Sequence, residues 1–256
     1  MRAGEASITA QRVAAHRLGF DRVEADYGNV EADERLARDV AGTVDVSSSA
    51  DSMVGYLAAR TAFFDRVVVG ALGRGMRQVV IAAAGYDGRA LRYAKPDVRW
   101  FELDHPDTQR DKVARLDRLA IDARHIAFVA ADFAIDAVDD ALLAAGLDRR
   151  QPSLFLCEGV AIYLEHAVLE SLLRALRNVA SDGSRLAISL SMATNSAAAE
   201  LRRTAFRSAV ASMGEPARTV LDPEEVEALL ASTSWTISAS QSDRARHAGL
   251  LVLEAS

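Results

Sequence analysis

The sequence predicts an α/β domain built on a seven-stranded, mostly parallel sheet with an antiparallel last strand and helices on both faces. Two observations predict it. Short apolar runs alternate with helical patterns between about residues 78 and 190, which is typical of βαβ units. The last third then carries two strand patterns joined by a short connection, which indicates an antiparallel addition. A chain of 256 residues, 50% of them hydrophobic, can bury the core of one such domain.

Each predicted strand is a short apolar or alternating run, and glycine, proline and acidic residues separate it from the helix that follows. The strand patterns lie at 79–83, 98–103, 125–131, 153–157, 185–190, 235–240 and 249–254. The helical patterns lie at about 50–72, from Gly85 to about Tyr93, from Pro106 onward, at about 137–145 and 167–180, at 194–213, and from Asp222 onward.

The regions outside this alternation predict a division of the single domain, 1–256, into four parts. Residues 1–75 form a helical N-terminal cap, and residues 76–190 form the ligand-binding βαβ core. Residues 191–220 form a lid insertion whose helix contains Arg207, and residues 221–256 form a C-terminal helix and β-hairpin. The arginine-bearing lid helix fits either contact with an anionic or sugar-like molecule or a solvated face.

Composition excludes several classes of function. A net charge of −6 disfavours general nucleic-acid binding, which needs a basic surface. No apolar run approaches the roughly 20 residues of a membrane span. The first residues lack the apolar core of a signal peptide, and there is one cysteine, so we expect a cytoplasmic protein. The histidines show no spacing typical of metal ligands, and we expect no metal site.

Candidate ligand-binding residues follow the first two predicted strands. The turn from Ala83 through Gly85 to Arg89 connects a buried strand to a helix, at the sheet edge where such folds bind ligands. It is not a G-x-G-x-x-G sequence, so an ordinary connection is the alternative. Asp104 lies 19 positions after Gly85, a spacing at which an acid accepts hydrogen bonds from ribose hydroxyls. The alternative for Glu102 and Asp104 is a solvated strand end beside a helix cap.

The third and fourth strands end in similar residues. Asp132 and Phe133 offer a hydrogen-bond acceptor and an aromatic face, which together suit an adenine ring. Glu158 follows the fourth strand, where it can pair with an ammonium group. Each position is weak evidence by itself, but ligand-type residues at the ends of four successive strands indicate one binding crevice.

With these motifs the chain resembles the leucine carboxyl methyltransferase family, in particular its actinobacterial S-adenosylmethionine-dependent branch. The resemblance covers roughly residues 8–190. It is carried by Ala-Arg-Thr-Ala-Phe-Phe-Asp at 59–65, Val-Val-Ile-Ala-Ala-Ala-Gly-Tyr-Asp-Gly-Arg at 79–89, Phe-Glu-Leu-Asp-His-Pro at 101–106, Ala-Asp-Phe at 131–133 and Glu-Gly-Val-Ala-Ile-Tyr-Leu at 158–164.

The resemblance implies a class I methyltransferase Rossmann-like fold, S-adenosyl-L-methionine as cofactor, and a role for each matching residue. Arg60 would bind the methionine carboxylate of the cofactor, Asp104 its ribose, and Glu158 its amino end. Ala83 and Gly85 would pass beneath the methionine and ribose, and Asp132 with Phe133 would frame the adenine. The family usually has Gly-Ala-Gly where this chain has Ala83-Ala84-Gly85, a departure that puts close approach of the cofactor in doubt.

The implied reaction is in-line methyl transfer to an oxygen atom of a small molecule, either a hydroxyl or a carboxylate, and possible acceptors include sugar-like and polyketide-like compounds. A hydroxyl acceptor would need a general base, for which His105 and Tyr163 are the candidates, with His166 and Glu158 behind them. The alternatives are an NAD-dependent dehydrogenase and a relative that binds the cofactor without catalysis. The sequence does not indicate the oligomeric state, and a homodimer is a working hypothesis.

Overall fold

The computed structural model describes residues 4–47, 49–193, 197–239 and 249–255. Its centre is a seven-stranded sheet with the strand order β3-β2-β1-β4-β5-β7-β6. The strands are β1 (Gln78–Ala82), β2 (Arg99–Asp104), β3 (Ile126–Ala130), β4 (Ser153–Cys157), β5 (Arg185–Ser189), β6 (Trp235–Ile237) and β7 (Leu250–Ala255).

The pairing of the strands confirms the predicted sheet. The first five strands pair in parallel, whereas β7 runs antiparallel to β5 on one side and to β6 on the other. The antiparallel strand is therefore the last one in the sequence, inserted between β5 and β6. The sheet order changes direction between β1 and β4, which is the position where ligands bind in open α/β sheets.

Helices cover both faces of the sheet because its strands alternate their apolar side chains between two cores. On β1, Val79 and Ile81 face one core, whereas Val80 and Ala82 face the other. The first core is closed by α1 to α5 and the second by α6, α7 and α9. The helices are α1 (Ile8–Arg17), α2 (Val30–Ala41), α3 (Asp51–Gly73), α4 (Arg89–Arg92), α5 (Pro106–Arg118), α6 (Val138–Ala144), α7 (His166–Asn178), α8 (Ala197–Ser212) and α9 (Pro223–Thr233), with a 3-10 turn at Ala161–Tyr163.

The element boundaries differ from the predicted ones by a few residues. The strand expected at 235–240 ends at Ile237, and Ser240 lies outside the described residues. The helix expected from residue 194 begins at Ala197, and 194–196 also lie outside them. The helix expected after Gly85 is only the four residues of α4, because Asp87 and Gly88 occupy a turn before it.

The register of the sheet brings the predicted ligand residues to one edge. Ala82 pairs with Leu103, and Ile81 pairs with Leu156, so β1, β2 and β4 end close to the same level. Ala83 and Glu158 follow β1 and β4, and Asp104 is the last residue of β2, so all three lie at the carboxyl edge of the sheet. Among the described residues, no helix combines the length and the apolar character needed to cross a membrane.

Candidate functional site

A buried cluster of arginines and carboxylates stands at the carboxyl end of β4, with Glu158 at its centre. Oε1 of Glu158 accepts a hydrogen bond from Nε of Arg60 at 2.9 Å. Its Oε2 lies 2.5 Å from Nη1 of Arg89 and 3.1 Å from Nη2 of Arg17. The three arginines come from α1, α3 and α4, so one carboxylate joins three helices to the sheet edge.

A second layer of acids surrounds Arg89. Its Nη1 lies 2.5 Å from Oδ2 of Asp87, and its Nε lies 2.7 Å from Oδ1 of Asp65. Asp87 also accepts from the backbone N–H of Arg89 at 2.8 Å, which fixes the turn before α4. Asp65 is shared with Arg22, whose Nε lies 2.6 Å from it. Because the three buried carboxylates each have at least two arginine partners, the cluster is tolerated in the interior.

The arginines determine the charge state of this cluster. Burial by itself would raise the pKa of Glu158, but Arg89, Arg17 and Arg60 outweigh it and hold that pKa well below its usual range. Burial likewise opposes ionisation of Asp65, yet Arg89 and Arg22 lower its pKa to about 2. Both carboxylates are therefore ionised at neutral pH.

Arg17 and Arg60 retain unused capacity for an anion. Nε of Arg17 is buried without a hydrogen-bond partner in the part of the chain that the structure describes. Arg60 donates to Glu158 through its Nε. The guanidinium carbon of Arg60 lies 5.6 Å from the centre of the Tyr56 ring. A planar guanidinium can bind a carboxylate through two parallel hydrogen bonds, so these two residues could hold a carboxylate ligand.

The turn after β1 adopts a left-handed backbone at two positions. Ala83 has φ of 54° and Gly85 has φ of 50°. Such a conformation is easy for glycine and unfavourable for alanine. The family usually has glycine at the position of Ala83, so the structure gives that preference a conformational reason.

Asp104 lies against this turn. Its Oδ2 accepts a hydrogen bond from the backbone N–H of Gly85, and its Oδ1 accepts from the N–H of His105 at 2.7 Å. Burial raises the pKa of Asp104 to about 6, although these two hydrogen bonds oppose the rise. Each carboxylate oxygen can accept a further hydrogen bond, which leaves Asp104 able to receive a ribose hydroxyl.

Helix α1 crosses the same turn. A Cβ atom added to Gly85 would stand 2.8 Å from Cβ of Ala10, so the turn and α1 pack closely there. The C-terminal end of α1 places Arg17 in the cluster around Glu158. Helix α1 therefore covers the site from the first turn to the fourth strand end.

Beneath the turn, Lys112 and Glu102 form a buried pair with Nζ and Oε2 2.5 Å apart. Lys112 also donates to the backbone carbonyl of Asp87 at 2.7 Å, and thereby links α5 to the turn before α4. Burial raises the pKa of Glu102 to about 7, despite the opposing effect of Lys112. Glu102 thus braces the turn from within the core and does not line the crevice.

Asp132 and Phe133 follow β3 at the neighbouring position of the edge. The N–H of Ala131 donates to the carbonyl of Asp104 at 2.9 Å, which places this segment directly beside Asp104. Oδ1 of Asp132 accepts from the N–H of Ala134 at 3.0 Å, and Phe133 is half-buried against the core. Asp132 and Phe133 therefore lie beside Asp104 at the carboxyl edge of the sheet.

The two predicted catalytic residues have structural partners. His105 is the N-cap of α5, and its Nδ1 accepts from the N–H of Asp107 at 3.3 Å. Tyr163 ends the 3-10 turn, and burial raises its pKa to about 12, although the nearby hydroxyl of Thr9 opposes the rise. A base role for either residue stays a prediction.

The structure thus joins Arg60 with Glu158, and Ala83 and Gly85 with Asp104, while Asp132 and Phe133 stand next to Asp104. Sequence reasoning missed Arg17 and Arg89, because an arginine in a charged helix resembles a solvated residue. The predicted turn ends with Asp87-Gly88-Arg89, and the acid and the arginine two positions apart are the sequence signal for the buried pair.

No three His, Cys, Asp or Glu side chains within the described ranges are grouped so as to hold a metal ion. A groove of about 490 Å³ lies at the opposite edge of the sheet, and Arg74, Gln151 and Arg185 are among the residues that line it. It is remote from Asp104 and Glu158, so it plays no part in the site described here.

Comparison with known proteins gives a family match. The leucine carboxyl methyltransferase family matches residues 9–177, which is more than half of the chain. This match confirms the resemblance that the sequence motifs indicated.

Two curated relatives have similar names. A Mycobacteroides abscessus protein named "Putative S-adenosyl-L-methionine-dependent methyltransferase" is 38% identical over 197 residues, covering 71% of this chain and 63% of the relative. A similarly named protein of Parafrankia is 39% identical over 143 residues, covering 54% of this chain and 45% of the relative. The chain therefore matches less than two thirds of the length of these relatives.

Solved structures with the same fold include a DUF574 family protein from Streptomyces avermitilis. It is 17% identical, with a TM-score of 0.61 and 98% coverage of both chains. Magnesium protoporphyrin IX methyltransferase from Synechocystis, solved with bound SAH, is 13% identical with a TM-score of 0.53, covering 88% of this chain and 94% of that one. At such identities the similarity shows the fold alone.

Proposed function

This chain belongs to the leucine carboxyl methyltransferase family, and from that premise we propose that it transfers a methyl group from S-adenosyl-L-methionine to an oxygen atom of a small molecule. The observation that carries the proposal is the adjacency of two features at one sheet edge. One is the arginine cluster around Glu158, and the other is the turn at Gly85 held by Asp104. These features match the charged and the hydroxyl-bearing ends of this cofactor.

The residues present fit the cofactor at its charged end. Arg60, with Arg17 beside it, would bind the carboxylate, for which the unpartnered Nε of Arg17 supplies a buried donor. Glu158 is ionised and would attract the ammonium group. The excess of arginines over acids around Glu158 means that a bound carboxylate lowers the local positive charge.

The remaining contacts follow along the edge of the sheet. Asp104 would accept from the ribose hydroxyls, and the backbone at Ala83 and Gly85 would lie beneath the ribose and methionine. Asp132 and Phe133 would hold the adenine between a hydrogen-bond acceptor and an aromatic face.

When bound, S-adenosylmethionine supplies a methyl group on a sulfonium, which an oxygen lone pair displaces in line. The protein has to align the acceptor oxygen and to exclude water, since proximity accounts for much of the rate. Helix α1 and the 3-10 turn at Ala161–Tyr163 would enclose that reaction, because Thr9 of α1 lies close to Tyr163.

The polar groups near the acceptor side favour a carboxylate over a hydroxyl. Tyr163 is protonated at neutral pH because its pKa is about 12, so it can orient an oxygen but not deprotonate one. Nδ1 of His105 is occupied by the N–H of Asp107, which leaves Nε2 to carry the proton in the neutral ring. A carboxylate acceptor is already ionised and needs no base.

We place this small-molecule reaction in the cytoplasm.

One observation favours a second candidate, a relative that binds without catalysis. Ala83 replaces the usual glycine in a left-handed position, and α1 packs against Gly85. Both features narrow the space at the turn.

The test is the melting temperature with S-adenosylmethionine, S-adenosylhomocysteine or NAD. A ligand at about 100 times its dissociation constant stabilises the fold by about 2.7 kcal/mol. For a chain of this size that corresponds to roughly 5–10 °C. We expect such a shift with either sulfur ligand, no shift with NAD, and loss of the shift in Asp104→Ala.

The matched control is Asp97→Ala, which removes an exposed ion pair with Arg77 far from the site. It should keep the full shift. A shift with NAD alone would identify a dehydrogenase, and no shift with any ligand would contradict cofactor binding. Cofactor binding without methylation of any carboxylate or hydroxyl acceptor would favour the non-catalytic relative.

A further inference from the structure

The segment that follows α8 is fastened to the start of α1 by one carboxylate. Oε1 of Glu215 accepts from the backbone N–H of Ile8 at 2.8 Å and from that of Thr9 at 3.4 Å. Its Oε2 accepts from the hydroxyl of Ser7 at 3.0 Å and from the hydroxyl of Thr9. Glu215 is buried, and it makes these contacts across more than 200 residues of sequence.

We propose that Glu215 is a positioning residue for methyl transfer. It holds α1 across the turn at Gly85 and keeps Thr9 close to Tyr163. The inference rests on the proposed function, because it assumes that the turn at Gly85 lies beneath S-adenosylmethionine.

Helix α1 contacts the site at both of its ends. Its first turn is bound by Glu215, Ala10 packs on Gly85, and Arg17 at its far end contacts Glu158. Between these contacts α1 lies over the turn at Gly85, so a movement of α1 would change access to a ligand seated there.

The segment that follows Glu215 is hydrogen-bonded to the region of the 3-10 turn. The N–H groups of Arg218 and Thr219 donate to the carbonyl of Ile162 at 2.7 and 3.2 Å. The hydroxyl of Thr219 donates to the carbonyl of Leu164 at 2.5 Å. The segment that carries Glu215 is thus fixed to the 3-10 turn that carries Tyr163.

The interaction between Glu215 and the start of α1 is also electrostatic. The N–H groups of the first helical turn carry partial positive charge and stabilise a carboxylate there. Hydrogen bonds to an ionised acceptor are roughly twice as strong as neutral ones. Replacement of the carboxylate by an amide removes this charge and weakens the hydrogen bonds from the N–H groups of residues 8 and 9, so α1 should open more often.

The experiment measures the binding rates of S-adenosylhomocysteine to the full chain by stopped-flow fluorescence. Variants are Glu215→Gln and, as a matched control, Glu227→Gln, which changes an exposed glutamate on α9. Hydrogen exchange is followed at the amides of residues 8 and 9 in the bound state. In Glu215→Gln we expect both association and dissociation to be faster, with dissociation rising about tenfold, the effect of losing one charge-assisted hydrogen bond.

A general loss of structure would slow association, whereas a released cover accelerates both rates, so the pair of rates separates positioning from a merely structural role. Faster exchange at residues 8 and 9 should accompany the change in Glu215→Gln and not in Glu227→Gln. If Glu215→Gln does not fold, Thr9→Val tests the inference, because it removes one hydroxyl contact and keeps both amide contacts. We expect a smaller rise in the dissociation rate there, about threefold.

Unchanged rates in a folded Glu215→Gln, or in Thr9→Val where that variant stands in for it, would overturn the inference while the proposed function stands. Failure of the unsubstituted chain to bind S-adenosylhomocysteine would contradict the proposed function instead.

Discussion

Arg60 and Glu158 form a buried ion pair, with Nε and Oε1 2.9 Å apart and side chains 10% and 3% exposed. They lie 98 positions apart in sequence, one within α3 and the other just past β4. Glu158 is also the shared acceptor of Arg17 and Arg89. The pair therefore connects the N-terminal helices to the sheet edge and fixes the direction from which a charged ligand can approach.

Glu158→Gln should destabilise the fold by about 3–5 kcal/mol, because it leaves buried arginines without their common counter-ion. Urea unfolding of the unliganded protein measures the change. The control is Glu165→Gln, which breaks an exposed pair with Arg218 and should change stability by less than about 1 kcal/mol. A loss below about 1 kcal/mol in Glu158→Gln would show that the cluster is hydrated or rearranged.

The sheet could be predicted from sequence because its signals are local. Each parallel strand is a short apolar run, as in Val79-Val80-Ile81, and a turn residue such as Gly85 after β1 or Gly159 after β4 follows within a few positions. The positions of Asp104 and Glu158 after their strands then follow from the alternation, since parallel strands share one carboxyl edge.

The charged core could not be predicted in the same way. Asp65 and Arg89 are fully buried, yet a charged side chain in a helix ordinarily faces water. Their burial depends on partners from distant segments, namely Arg22 after α1, Asp87 before α4 and Glu158 after β4, which tertiary packing brings together. The link from Glu215 to Thr9 is likewise a contact between distant segments, and no local pattern indicates it.

Cys157 should be inert in the folded protein. Its thiol is fully buried at the end of β4, and burial raises its pKa to about 12. Thiolate is the reactive form, so reaction with a disulfide reagent at about pH 8 should be very slow in the native state. In concentrated guanidinium chloride one thiol per chain should react at once. Rapid modification without denaturant would show that β4 opens readily.

Cofactor affinity should fall at acidic pH because Asp104 must be ionised to accept ribose hydroxyls. Its pKa is about 6 in the unliganded protein, since burial raises it. Affinity should be constant above about pH 7 and fall by up to tenfold per pH unit below about pH 6. Calorimetric titration with S-adenosylhomocysteine from about pH 8 to pH 5 measures this.

Asp104→Asn is the control for that dependence. It should bind weakly at every pH, with no slope. A slope that persists in Asp104→Asn would assign the titration to Glu102, whose pKa burial raises to about 7. An affinity independent of pH in the unsubstituted chain would show that Asp104 does not contact the ligand as an ionised group.

Ala83 and Gly85 should respond in opposite directions to substitutions that exchange alanine and glycine. Both have positive φ, of 54° and 50°. A left-handed conformation costs alanine about 1–2 kcal/mol, and replacement by glycine removes this cost. Glycine also makes the unfolded chain more flexible, which offsets about 0.4–1 kcal/mol of the stabilisation. Ala83→Gly should therefore leave stability unchanged or raise it by up to about 1.6 kcal/mol.

Gly85→Ala introduces both the left-handed strain and a Cβ that would stand 2.8 Å from Cβ of Ala10, so α1 must shift. It should lower stability by at least about 1–2 kcal/mol and weaken S-adenosylhomocysteine binding, whereas Ala83→Gly should strengthen that binding by removing a methyl group from the turn. Urea unfolding and calorimetry on both variants provide the comparison. If Ala83→Gly instead loses more than about 1 kcal/mol, the alanine is not strained, and its methyl group packs usefully against the core.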